Sequence, residues 1–160
     1  MSTNSALTLV NPKFPHNVGG AVRAASCFGV EEVRYTGNRF DLETLKRLPR
    51  EERMKAYGEV TWSQNDKPFD EFPDHTPVAI ELLDGSVPLH TFEHPEKALY
   101  IFGPEDGSIP KSFRGLCHNF VAIPTAHCMN LAAAIYVVLY DRALKRWQAG
   151  LEDMPSLKEE

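Results

Sequence analysis

ALTLVNPKFPHNVGGAVRAASCFG, residues 6–29, holds a strand, a turn and a helix in one unbroken run. Ala6–Val10 is short, apolar and followed by Asn11-Pro12, the mark of a buried strand that stops abruptly. The turn ends at Asn17, a good N-cap residue, and Gly29 suits a helix C-terminus, so a helix is expected over Val18–Phe28. The same alternation continues outward. Val33–Thr36, Val78–Leu83, Leu99–Phe102 and Phe120–Ile123 read as buried strands, and Val60–Trp62 as a shorter one. Leu42–Leu48 reads as a helix stopped by Pro49. Met129–Gln148 reads as a long one, its Ala132, Ile135, Tyr136 and Leu139 forming a stripe at helical period. Strands alternating with helices predict an α/β domain over residues 1–150, with a mostly parallel sheet and helices on both faces. Residues 151–160 are polar and are expected to fray.

Composition excludes several classes. With 160 residues, 42% hydrophobic and 24% charged, the chain can bury one core and is not disordered. Its net charge of −5 argues against a uniformly basic RNA-coating protein and leaves room for a local basic face. No apolar run approaches the roughly 20 residues of a membrane helix, and the N-terminus lacks a secretory pattern. Three cysteines without a paired framework point to a reducing, cytoplasmic compartment. Cys117-His118 and His127-Cys128 match no common zinc spacing, so no metal is expected.

In parallel sheets, ligands sit beyond the carboxyl ends of the strands. Three turns occupy those positions. The first runs from Asn11 to Asn17 and leads to Arg23, a cation among Gly20, Ala21, Ala24 and Ala25. Such a cation is costly unless it meets an anion or reaches solvent. The second is Gly103-Pro104-Glu105-Asp106-Gly107, directly after a buried strand. The third is Ile123-Pro124 through Cys128-Met129-Asn130-Leu131, opening the long helix, where free N–H groups favour polar ligands. Each also has an ordinary structural use, as helix caps at Asn17 and Asn130 and as an acidic surface turn at Glu105. A dinucleotide Gly-x-Gly-x-x-Gly fingerprint is missing after every strand.

Taken in order, the three turns resemble the motifs of the SpoU/TrmH family of SPOUT RNA 2′-O-ribose methyltransferases. They are an Asn and an Arg on the first helix (Asn17, Arg23), a Gly-x-Glu turn (Gly103, Glu105), and an Ile-Pro turn before a Ser-x-Asn-Leu helix start (Ile123, Cys128, Asn130, Leu131). The likeness spans about residues 6–145. Two positions depart from the pattern. Cys128 stands where the family has serine, and Gly107 is one residue early.

The resemblance implies a C-terminal deep trefoil knot, bound S-adenosylmethionine, an RNA substrate and a homodimer packed along the long helix. Leu82, Gly103, Ile123, Cys128 and Leu131 fall at cofactor positions. Arg23, Asn17, Glu105 and Asn130 fall at catalytic ones, and His127 lies near as a further proton acceptor. The segment before the first strand is too short for the RNA-binding domain of large rRNA-directed members, so tRNA is the favoured substrate. The alternatives are an rRNA substrate or a silent RNA-binding module. A candidate RNA surface is the segment Arg34–Lys55. Its Arg34, Arg39, Lys46, Arg47, Arg50, Arg53 and Lys55 outnumber Asp41, Glu43, Glu51 and Glu52, a net +3.

Overall fold

A computed structural model describes residues 3–47 and 59–157. Among them, seven strands form one parallel sheet. In chain order these are β1 (Ala6–Leu9), β2 (Glu32–Tyr35), β3 (Thr61–Gln64), β4 (Thr76–Ile80), β5 (Val87–Pro88), β6 (Ala98–Phe102) and β7 (Asn119–Ala122). The helices are α1 (Pro15–Cys27), α2 (Leu42–Lys46), α3 (Pro68–Glu71), α4 (Lys111–Arg114) and α5 (Leu131–Gln148). Across the sheet the order is β3-β2-β1-β6-β4-β7-β5.

The central strands β1 and β6 are buried along their whole length because both faces are covered, whereas the edge strand β3 is polar and largely exposed. Along β6, Ala98, Tyr100 and Phe102 enter one apolar cluster, while Leu99 and Ile101 enter the other. The larger cluster collects Ala21 and Val22 of α1 with Ile135 and Leu139 of α5. On the opposite face, Phe69 of α3 and Phe113 of α4 pack around Leu99, Ile101 and Ile109. Helices therefore lie on both faces, as the alternation predicts. At Gly20, an added Cβ would stand 2.7 Å from the Ala132 Cβ, so the missing side chain lets α1 and α5 pack closely.

Several boundaries move. α1 begins at Pro15 instead of Val18, because proline presets the backbone of a first helical turn. Gly29 ends it with φ +70°. α3, β5 and α4 are too short to show a periodicity in the sequence and were not anticipated. Leu48, Arg50, Arg53 and Lys55 lie outside the described residues. Past α5, Glu152 accepts from Arg142 Nη1 (3.3 Å) and Arg146 Nε (2.6 Å), which ties the start of the tail to the long helix. Among the described residues, no helix is long and apolar enough to cross a membrane.

Candidate active site

Strands β1, β4, β6 and β7 run parallel side by side, so the turns that leave them emerge at one end of the sheet. Together those turns enclose a cleft of about 500 Å³. Asn17, Leu82, Gly103, Glu105, Ile123, Cys128, Asn130 and Leu131 all line it. Arg23 is not among the lining residues. It lies on the exposed face of α1, between the buried Val22 and Ala24.

Hydrogen bonds join the three turns. Phe14 occupies the N-cap of α1 and has no side chain able to cap it. The Glu105 carboxylate does so instead, accepting from the backbone N–H of Phe14 (2.8 Å) and of Lys13 (3.1 and 3.2 Å). A carboxylate at a helix N-terminus also meets the favourable end of the helix dipole. Asn17 is not the cap that its position before the apolar run suggests. It sits inside the first turn, 2% exposed, and its Oδ1 accepts from Asn130 Nδ2 at 3.0 Å. Asn130 is itself the N-cap of α5, its Oδ1 accepting from the Ala133 N–H at 3.1 Å. One amide therefore closes the third turn and holds the first, which are 113 residues apart.

The second turn folds tightly on itself. A Cβ on Gly103 would stand 3.3 Å from both the backbone nitrogen and the Cγ1 of Ile109. A side chain there would press on Ile109, so the glycine lets the turn pack closely while its backbone lines the cleft. Gly107, displaced by one residue from the family pattern, closes the turn through its N–H on the Pro104 carbonyl at 3.4 Å. Beside it, Asp106 accepts from the two terminal Arg39 nitrogens, Nη1 at 2.8 Å and Nη2 at 2.9 Å, and Arg39 Nη2 also donates to the Asn11 carbonyl at 2.8 Å. The Arg39 hydrogen bonds hold the Asp106 carboxyl below the usual carboxylate range.

Arg34 corrects the proposed RNA surface. It is 5% exposed, with Nε donating to Glu71 at 2.9 Å and Nη2 to Glu32 at 2.6 Å. Its guanidinium serves the β2–β3 edge because its place in β2 turns it toward α3. Phe14, His16, Ile80, Glu81 and Phe102 also line the cleft and were not picked out from the sequence. Ile80 and Phe102 are the last residues of β4 and β6, a position that would have flagged them. His127 is not among the lining residues.

Residues 4–140 match the model of the SpoU rRNA Methylase family. The chain belongs to that family. The tRNA (cytidine-2′-O-)-methyltransferase TrmJ of Methanocaldococcus jannaschii is 28% identical over 166 residues, covering 88% of this chain and 68% of TrmJ. The TrmH/SpoU tRNA modifying enzyme of A. aeolicus superposes with a TM-score of 0.80 at 19% identity, over 99% of this chain and 83% of that one. AviRb of Streptomyces viridochromogenes, solved with AdoMet, gives 0.75 at 18% identity, over 89% of this chain. This SpoU-family chain spans 60% of the length of AviRb. The structural matches show that it has the SpoU/TrmH fold.

Proposed function

We propose that the protein is an S-adenosylmethionine-dependent methyltransferase acting on the ribose 2′-hydroxyl of RNA, with tRNA as the substrate. The observation that carries this reading is the joining of all three family turns around one cleft, through Asn17–Asn130 and Glu105–Phe14. The named activity of TrmJ supports tRNA over rRNA.

The cleft fits the cofactor in size and chemistry. Its volume falls within the usual range for small-molecule sites. Leu82, Ile123 and Leu131 offer an apolar wall, Gly103 and Cys128 leave room beside them, and Glu81 and Glu105 add carboxylates suited to a cationic ligand. When bound, S-adenosylmethionine supplies an already activated methyl electrophile. The chain's own residues then align the hydroxyl, exclude water and handle one proton. Glu105 and Asn130 hold the turns in place. Arg23, exposed on α1 outside the cleft lining, grips RNA phosphate and takes no proton, since a guanidinium is essentially never deprotonated.

Assembly and threading belong to the same reading. Phe28, Tyr136, Val137, Tyr140 and Leu144 line an apolar groove of about 590 Å³ along α5. A second copy of this chain covers it, making a homodimer, and the aromatic rings suit an interface. A stable monomer by light scattering at micromolar concentration would remove the dimer. The placement of β7 between β4 and β5 supports the knotted path of the last strand and helix. Three free cysteines suit a reducing cytoplasm, where tRNA is processed.

Incubating the protein with S-adenosylmethionine and bulk tRNA, then digesting to nucleosides for mass spectrometry, tests the core claim. A 2′-O-methylnucleoside in tRNA is the expected product. A base-methylated product would overturn ribose as the target. Cofactor binding without transfer would favour a silent module, and transfer to rRNA alone would move the substrate.

A further inference from the structure

Phe14 stands apart from the other eight phenylalanines. Each of those belongs to one of the two apolar clusters, whereas Phe14 belongs to neither and is 41% exposed. It lines the mouth of the cleft with His16, and the two rings stack with centroids 5.5 Å apart and planes 26° from parallel. Its backbone is held at both ends. The N–H donates to Glu105, and the carbonyl accepts from the Asn17 and Val18 N–H groups at 3.0 and 3.4 Å. Pro15 keeps it extended, at φ −102° and ψ 122°. Lys13 Nζ sits over the Phe14 ring, 5.3 Å from its centroid, and 4.0 Å from Asp106 Oδ2, on an exposed side chain that can swing toward a phosphate.

A rigidly presented, exposed aromatic pair with a cation beside it does nothing for the core. It matches the means by which proteins hold unstacked bases, flat rings for the base and a cation for the backbone. We infer that Phe14 and His16 form a stacking subsite for an unpaired nucleobase of the RNA substrate, with Lys13 beside the neighbouring phosphate. The inference rests on the methyltransferase reading and specifies its substrate as a splayed, single-stranded nucleotide. A base stacked inside a duplex has no free face to offer this pair. Glu105 thereby gains a second consequence, since the hydrogen bond that caps α1 also sets the platform's position.

The test compares Phe14→Leu, Phe14→Tyr and wild type in the full chain. For methyl transfer to bulk tRNA, Phe14→Leu should raise KM about tenfold with kcat unchanged, and Phe14→Tyr should restore KM. Phe14 also lines the cleft, so calorimetry should find any change in S-adenosylmethionine affinity in Phe14→Leu well below the tenfold change in tRNA KM. Fluorescence anisotropy with a labelled single-stranded oligouridylate should show a loss of the same size in Phe14→Leu, while a blunt RNA duplex should show none. If wild type methylates tRNA and Phe14→Leu does so with an unchanged KM, the subsite is overturned and the activity stands. Parallel loss of cofactor affinity, or equal loss for oligouridylate and duplex, would overturn it as well. Oligouridylate binding that depends on Phe14 in a wild type unable to methylate would uphold the subsite and overturn the activity.

Discussion

Arg34 and Arg23 lie on neighbouring elements, β2 and α1, and end in opposite conditions. Arg34, on the β2–β3 side of the sheet, points into the fold between Glu32 and Glu71. Arg23, on the helix that opens from the cleft, remains exposed. Both are flanked directly by apolar residues, Val33 and Tyr35 in one case and Val22 and Ala24 in the other. The difference comes from what the fold brings to each. A carboxylate from α3, 37 residues away, reaches Arg34 and makes it structural. Burial between two carboxylates makes Arg34 scaffold, whereas Arg23 keeps its guanidinium at the surface, where long-range charge acts.

The largest effect is expected at Arg23. Arg23→Ala should lower methyl-transfer turnover by about 10²-fold or more, the scale of losing one charge-stabilising donor, with cofactor affinity kept. Lysine at that position separates two roles, because a bidentate phosphate grip fails with Lys while a simple charge effect survives. Near-normal turnover in folded Arg23→Ala would erase the contrast with Arg34.

Arg34→Gln should act on stability instead. Two carboxylates, each about one-third exposed, lose their shared partner, and chemical denaturation should register a loss of about 2 kcal/mol. Activity per folded molecule should stay unchanged. A selective drop in RNA affinity would return Arg34 to the RNA surface.

Asn130 carries both kinds of role in one side chain. Serine in its place can still cap α5 but cannot reach Asn17, whereas alanine loses cap and bridge. Asn130→Ala should therefore unfold about 1 kcal/mol more easily than Asn130→Ser, with methyl transfer reduced alike in both. Full activity in Asn130→Ser would show that the bridge to Asn17 is dispensable.

The smallest effect is a pH dependence. The Arg34 hydrogen bond holds the Glu71 carboxyl below its ordinary value. A depressed folded-state value means stability that is present above the unfolded value, about 4.3, and lost as pH falls through the folded one. Thermal melts between neutral pH and pH 3 should show this acid loss in wild type and less of it in Arg34→Gln. Equal acid sensitivity would place the effect on other carboxylates.

Much of the site was legible because its parts are local. A strand's apolar run, the proline or glycine that stops it and the polar residues just beyond lie within about a dozen positions, and a parallel sheet sends such turns to one end. That is why eight of the nine expected residues meet around one cleft. The hydrogen-bond partners of these residues lack such a local mark. Glu105 looks like an acid in a surface turn until Phe14, 91 residues earlier, offers its N–H. Asn17 looks like a cap until Pro15 starts the helix ahead of it. Phe14 looks like one more apolar residue until the other phenylalanines are found inside.

Sequence alone determined the α/β alternation, the three turns and the family to which they belong, because periodicity and turn chemistry act over neighbouring residues. Tertiary structure alone decided which polar groups became scaffold. Asn17, Glu105 and Arg34 each took a partner at least 37 residues away, and only folding sets those distances. Gly20 shows the dependence at its smallest. As one hydrogen in a small-residue helix it seems interchangeable with alanine, yet α5 packs so closely against it that a methyl group there would meet Ala132 at 2.7 Å.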